Sequence, residues 1–328
     1  MLALTGKDVQ ELVPMSRAVE LMKVVFKDLT EGKTTSPLRT QVPVPEADGI
    51  SLFMPAYVPS IEGLGMKVVS VFPRNLEQGK PTINAIAAVL DANTGEPKAL
   101  MDGTFLTALR TGAGAGAAAD LLARQDSRVI TCIGAGAQGL TQVWAVAAVR
   151  DIQRVYIFDL NEEMKNSFAD RLAKYDPELA GKVQPVSDLK AALAESDVVS
   201  TATTSKTPVY NHSDIRPGTH INAVGAFQPT MQEIPVETLL NSYVVVDSVE
   251  AAIEEAGDLQ IPLNNGEITR DQISVEVGHL LNGSASGRSS DDQITFFKSV
   301  GNAVQDIIVA REAVEKAAER GMGQEFSL

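Results

Sequence analysis

The sequence has 328 residues, 44% of them hydrophobic and 21% charged, enough to bury the cores of two domains. Its 42 acidic against 28 basic side chains leave a net charge of −14, which repels nucleic-acid backbones and anionic membrane surfaces alike. A single cysteine, Cys132, excludes an internal disulfide and a paired-cysteine metal site, and it suits a reducing compartment. The opening MLALTGKDVQELV lacks the basic flank of a signal peptide, and no apolar run is long enough to span a bilayer. The expectation is a cytoplasmic protein.

In chain order, Leu12, Met15, Val19, Met22 and Phe26 recur at three- and four-residue steps, which predicts an amphipathic helix. From residue 36 to 100, apolar runs (ISLFMPAYV, GMKVVSVF, INAIAAVLD) alternate with Pro, Gly and Asn, the pattern of an antiparallel sheet or partly open barrel. ANTG at 92–95 reads as a hairpin turn. Residues 104–123, rich in Ala and Leu, read as a helix.

The pattern then changes. SRVITCIGAG reads as a strand and glycine turn, LTQVWAVAAV as a helix and RVYIFD as a strand. A charged helix over 161–175, the short VQPV, the helix SDLKAALAES and the strands DVVSTAT, THINAVGA and YVVVDS follow. This rhythm predicts a parallel sheet covered by helices on both faces. The acidic run 250–258 reads as a solvated helix face. From residue 292 the tail reads as one long helix or two adjoining ones, contributing no strand and packing back on the N-terminal part. The fold class is thus α/β. Residues 120–301 are expected to form a doubly wound Rossmann sheet, and residues 1–119 with 302–328 a discontinuous α+β domain.

Two stretches carry closely spaced glycines. GAGAG at 112–116 lies within the Ala-rich helix, with no strand before it. GAGAQG at 134–139 follows an apolar strand and opens a helix, as a pyrophosphate-binding turn must. Gly134 permits the tight turn, Gly136 lets backbone approach the ligand, and Gly139 lets helix and strand pack closely. Ala137 and Gln138 complete the turn at the helix N-terminus, where free N–H groups favour an anion. Asp159 ends the next strand about 20 residues on, where a carboxylate accepts ribose hydroxyls and repels a 2′-phosphate. The expected cofactor is NAD(H), with use of NADP(H) left open. Thr201, Ala202, Thr203 and Val224 end later strands, where either the nicotinamide half of the cofactor or plain packing accounts for small residues.

Three basic residues lie within or beside apolar segments: Arg39 in SPLRTQVP, Lys67 in GMKVVSVF and Arg110 in LTALRTGAG. Each either clamps an anion, snorkels to solvent or makes an internal ion pair; for Arg39 alone the last two readings are preferred. His212, His220 and His279 have no metal-ligand spacing, and no metal site is expected.

LFMPAY (52–57), GMKVVSVFPRN (65–75), GKPTINAIAAVLDANTGEPKALMDG (79–103), LTALRTGAGAG (106–116), IGAGAQG (133–139), STATTSKTPV (200–209), INAVGAFQPTMQEIP (221–235) and FKSVGNAVQD (297–306) are now in hand. Together they resemble the ornithine cyclodeaminase/μ-crystallin family over nearly the whole chain. The resemblance implies a homodimer, active sites between two domains, and a substrate carboxylate bound by Arg39, Lys67 and Arg110. That reverses the preference for Arg39. Lys67 and Arg110 would also act catalytically, and Thr82 would lie near nicotinamide and substrate. Cyclodeaminases carry an aspartate where this chain has Phe227, which cannot hold or deprotonate an attacking amine. The expected activity is therefore reduction of a 2-imino acid, with Δ1-pyrroline-2-carboxylate, giving L-proline, as the leading substrate. Alanine dehydrogenase, ornithine cyclodeaminase and a μ-crystallin-like cofactor-dependent binding protein are the alternatives.

Overall fold

The computed structural model describes residues 1–327. The chain divides into two compact units, Met1–Arg110 with Asn302–Leu328, and Thr111–Gly301.

The first unit is built on a seven-stranded sheet. Its strands are β1 (Leu2–Leu4), β2 (Thr40–Val44), β3 (Gly49–Val58), β4 (Gly63–Val71), β5 (Ile83–Asp91) and β6 (Pro97–Asp102), together with a short C-terminal strand, Gln324–Glu325. The C-terminal strand and β1 lead the order, followed by β6, β5, β4, β3 and β2. Only the β1–β6 pair is parallel. Of the expected antiparallel sheet or partly open barrel, the sheet is what forms, and Asp91 caps the 92–95 hairpin by accepting the Asn93 and Thr94 N–H groups.

The predicted opening helix is two helices. α1 (Gly6–Leu12) starts in a capping box between Thr5 and Asp8, and Pro14 N-caps α2 (Met15–Thr30). α2 buries Met15, Val19, Met22 and Phe26, each stabilising the unit by about 1.5–3 kcal/mol. The C-terminal helix Ala303–Arg320 packs beside α2 and across β3 and β4. It comes close to the sheet because Gly65 has no side chain: a Cβ there would lie 2.9 Å from Ile307 and collide with the Ala88 carbonyl. α3 (Gly103–Leu122) follows β6 and contains the 112–116 glycines.

The second unit is a doubly wound parallel sheet. Its strands are β7 (Val129–Ile133), β8 (Arg154–Phe158), β9 (Val183–Pro185), β10 (Val198–Thr201), β11 (His220–Ala223), β12 (Tyr243–Val246) and β13 (Thr295–Lys298). The order is β12-β13-β11-β10-β7-β8-β9, and every pairing is parallel. The chain winds from β7 to β8 and β9 on one side, then returns to β10 on the other, so the switch point lies between β7 and β10. α4 (Ala137–Val149) follows β7. Cys132 is a buried core residue of β7.

Three sequence expectations fail here. The tail from residue 292 is not all helix: β13 inserts between β11 and β12, because TFFK, buried throughout, finds parallel partners on both sides. The acidic run is only partly solvated. Glu250 and Glu254 are exposed, but Glu255 is buried and Asp258 is wholly buried against Lys298 of β13 at 2.7 Å. The 161–175 segment is two short helices, Glu162–Asn166 and Phe168–Leu172.

Among the described residues no helix is long and apolar enough to cross a membrane, and no cluster of metal-ligating side chains occurs.

Candidate active site

Lys67 occupies an inward-facing position of β4, flanked in register by Met54 of β3 and Ala87 of β5. An ammonium in that apolar setting needs a counter-ion, and Asp306 supplies it from the first turn of the C-terminal helix. Lys67 Nζ donates to both carboxylate oxygens, at 2.7 and 2.8 Å, and both side chains are fully buried. Arg110, on α3, joins the same carboxylate: Nε donates to Asp306 Oδ1 at 3.0 Å, and Nη1 donates to Gln305 Oε1 at 2.9 Å. Gln305 Nε2 is a buried donor with no partner. Two buried cations thus share one anion. Burial, followed by the neighbouring Arg110 charge, pushes the Lys67 ammonium down to about 7, against the opposing pull of Asp306.

Arg39 lies in the segment immediately before β2, half-buried, and its charge also acts on Lys67. Thr82 is half-buried just ahead of β5, where its carbonyl accepts the Phe72 N–H at 2.8 Å. Of the sequence-predicted clamp, Lys67 and Arg110 are brought together directly, with Arg39 in electrostatic reach.

In the second unit the glycine loop joins β7 to α4. Gly134 has φ +105°, and a Cβ there would meet the Ala202 carbonyl oxygen at 2.5 Å. A Cβ on Gly139 would strike the Gly134 carbonyl. Gly136, the N-cap of α4, faces open space instead. Ala137 and Gln138 begin the helix, and Gln138 Oε1 is buried without a partner. The loop therefore presents free backbone donors at a helix N-terminus beside unfilled space, which fits a dinucleotide pyrophosphate.

Asp159 follows β8 and accepts the Ala135 N–H at 2.6 Å and the Asn161 N–H at 2.7 Å. Of the about four acceptor positions of a carboxylate, two are thus used on backbone and two remain. Arg171 braces the same loop by donating to the Ala135 carbonyl at 2.7 Å.

Thr201, Ala202 and Thr203 leave β10 beside Gly134, and the Val224 N–H donates to the Thr201 carbonyl. What holds these strand ends is Glu233. Its buried carboxylate accepts Thr201 Oγ1 at 3.0 Å and the N–H groups of Thr203, Gly225 and Ala226 at 2.6, 2.8 and 3.1 Å. Burial and then the charge of Asp258 push the Glu233 carboxyl above the usual carboxylate range. Asp258 accepts the Glu233 and Ile234 N–H groups and pairs with Lys298. Phe227 is half-buried one residue past Ala226.

Residues 1–321 match the ornithine cyclodeaminase/mu-crystallin family model. The chain belongs to the ornithine cyclodeaminase/mu-crystallin family. It is 41% identical over 326 residues to a Δ1-pyrroline-2-carboxylate reductase of Bacillus cereus, covering 99% of each chain. Its fold is similar to that of the Thermococcus litoralis Δ1-pyrroline-2-carboxylate reductase solved with NADH and L-proline. The TM-score is 0.95 at 40% identity, over 99% of this chain and 100% of that one. It is also similar to an archaeal alanine dehydrogenase dimer with bound NAD, with TM-score 0.90 and 33% identity over 100% and 99% of the two chains.

Within this member of the family, Asp306, Gln305 and Glu233 are residues that the sequence reading missed. Asp306 and Gln305 had a signal: an amide and a carboxylate side by side in the apolar helix segment AVQDIIVA. Glu233 stands in MQEIP among loop residues, and nothing local marks it as buried.

Proposed function

We propose that this chain is an NAD(H)-dependent reductase of cyclic 2-imino acids, converting Δ1-pyrroline-2-carboxylate to L-proline. The observation that carries the reading is the buried surplus of positive charge around Asp306, which a substrate carboxylate would neutralise. The two reductases above, one solved with NADH and L-proline, support the substrate and cofactor.

On this reading Arg110 and Arg39 hold the carboxylate, Arg110 through the guanidinium donors that Asp306 and Gln305 leave free. Gly134, Gly136, Ala137, Gln138, Gly139 and Asp159, with Thr201, Ala202, Thr203 and Val224, would hold the dinucleotide, which when bound would supply the hydride for the C=N carbon. Lys67, titrating near neutrality, delivers the proton to the imine nitrogen. Thr82 would lie near the reacting end, and Phe227 is read as an apolar packing residue. With phenylalanine at 227, no carboxylate at that position activates a side-chain amine, which disfavours ornithine cyclodeamination.

The quaternary reading is a homodimer. The outward face of the first unit's sheet carries Met66, Ile86 and Leu100, each exposed, and the alanine dehydrogenase it resembles is a dimer. The cytoplasm is proposed as its compartment, consistent with the free Cys132.

The deciding assay follows NADH oxidation with Δ1-pyrroline-2-carboxylate, with pyruvate plus ammonia and with ornithine plus NAD in parallel. Turnover of the cyclic imine is expected to exceed the others. Faster alanine formation would make the chain an alanine dehydrogenase. Ammonia and proline from ornithine would overturn the argument from Phe227, and no turnover at all would favour a binding protein.

A further inference from the structure

Lys67 and Arg110 share the carboxylate of Asp306, and the charge of Arg39 also reaches Lys67. The charged groups that act on Lys67 are Arg110 from α3, Arg39 from the segment before β2 and Asp306 from the C-terminal helix. Its register neighbours, Met54 and Ala87, bring no charge. Lys67 is fully buried and Arg110 nearly so, which leaves little water to screen their repulsion. Gln305 adds a buried amide donor without an acceptor, a second sign that the cluster is built to receive one.

We propose that binding of a carboxylate to this cluster draws one proton from solvent onto Lys67, so that the ligand's own charge loads the proton consumed in imine reduction. The proposal rests on the clamp reading given above. Of the three cations only Lys67 can shed its charge near neutrality, since a guanidinium stays protonated. Before an anion binds, Lys67 therefore relieves the repulsion by releasing its proton, as its lowered value of about 7 reflects. An entering carboxylate adds a second negative charge beside Lys67 and favours the ammonium again. The balance closes over a turnover. Solvent gives a proton to Lys67 Nζ on binding, Nζ gives it to the imine nitrogen as hydride reaches the adjacent carbon, and Lys67 is left neutral when the amine departs.

Isothermal titration calorimetry tests this without turnover. The protein saturated with NADH is titrated with pyrrole-2-carboxylate, a planar anion whose ring N–H does not titrate near neutrality, in Hepes and in Tris. At about pH 8 the two heats should differ by close to one proton taken up per site; at about pH 6 they should nearly agree, and Kd should rise about tenfold between the two. Lys67→Arg, which keeps the charge but cannot release it, should bind with buffer-independent heats. Equal wild-type heats at the higher pH would overturn the proposal while leaving the clamp standing. Undiminished proton uptake by Lys67→Arg would overturn it by placing the proton elsewhere. Absence of binding at either pH would overturn the proposal together with the clamp.

Discussion

Replacing Asp306 by alanine removes the one anion from a buried cluster. Lys67 loses contacts at 2.7 and 2.8 Å, and Arg110 loses one at 3.0 Å. Deleting one partner of a buried ion pair costs about 3–5 kcal/mol, because the remaining charge is left unpaired. Here the cost depends on pH in a definite direction. Lys67 titrates at about 7 in the folded protein, and its unfolded value is about 10.4. Between those values the unfolded chain binds more protons, so stability rises with pH, and below the folded value the penalty is constant. Without Asp306 the folded value drops further, and the variant goes on losing stability in acid where the wild type has levelled off. At about pH 6 the full 3–5 kcal/mol should be lost. At about pH 9 Lys67 is neutral in both proteins but Arg110 still loses its partner, so the loss should be smaller than at about pH 6 by about 1.4 kcal/mol, one proton over one pH unit. Urea denaturation at the two pH values measures both losses. An equal loss at each would mean that Asp306 does not act on the charge of Lys67, and the electrostatic account of that pair would be wrong.

Asp159→Ser should shift the NADPH-to-NADH ratio of kcat/KM towards NADPH, since it removes a negative charge from the loop that also holds Ala135; an unmoved ratio would take Asp159 away from the ribose. Gly139→Ala should weaken NADH binding at least tenfold by calorimetry while the protein stays folded, because the new Cβ strikes the Gly134 carbonyl; unchanged affinity would show that the turn can give way. Ile86→Asp places a charge on the outward sheet face and should yield monomers in analytical ultracentrifugation. A dimer that persists would move the interface to another surface.

Legibility in the sequence followed the distance between interacting residues. The turn from β7 through Gly134–Gly139 to α4, then β8 and Asp159, was readable because each part explains its chain neighbour. Lys67 was conspicuous as a charge inside an apolar strand, yet its partner is 239 residues away and could not be assigned. The failure at β13 had the same origin. QITFFKSVGNAVQDII mixes apolar and polar residues throughout, and only lateral pairing with β11 and β12 makes four of its residues a strand. That error carried a second one with it. With β13 unrecognised, Lys298 had no place beside Asp258, and a buried carboxylate was taken for part of a solvated face. Glu233 was invisible for a related reason: its four donors lie on two separate strand ends that only the parallel sheet brings together.

The late position of β13 and the C-terminal helix also bears on how the protein comes into being. A ribosome releases this chain from its N-terminus, and both sheets are left waiting for the same late stretch. Until Thr295–Lys298 emerges, β11 and β12 have no strand to join them, and Lys298 is not there to neutralise Asp258. A few residues later comes Asp306, without which Lys67 and Arg110 repel one another inside the first unit. Nascent and prematurely terminated chains therefore carry open strand edges and uncompensated charge, the features that chaperones and proteases act on. Residues 295–306 thus complete both units after most of each has been made.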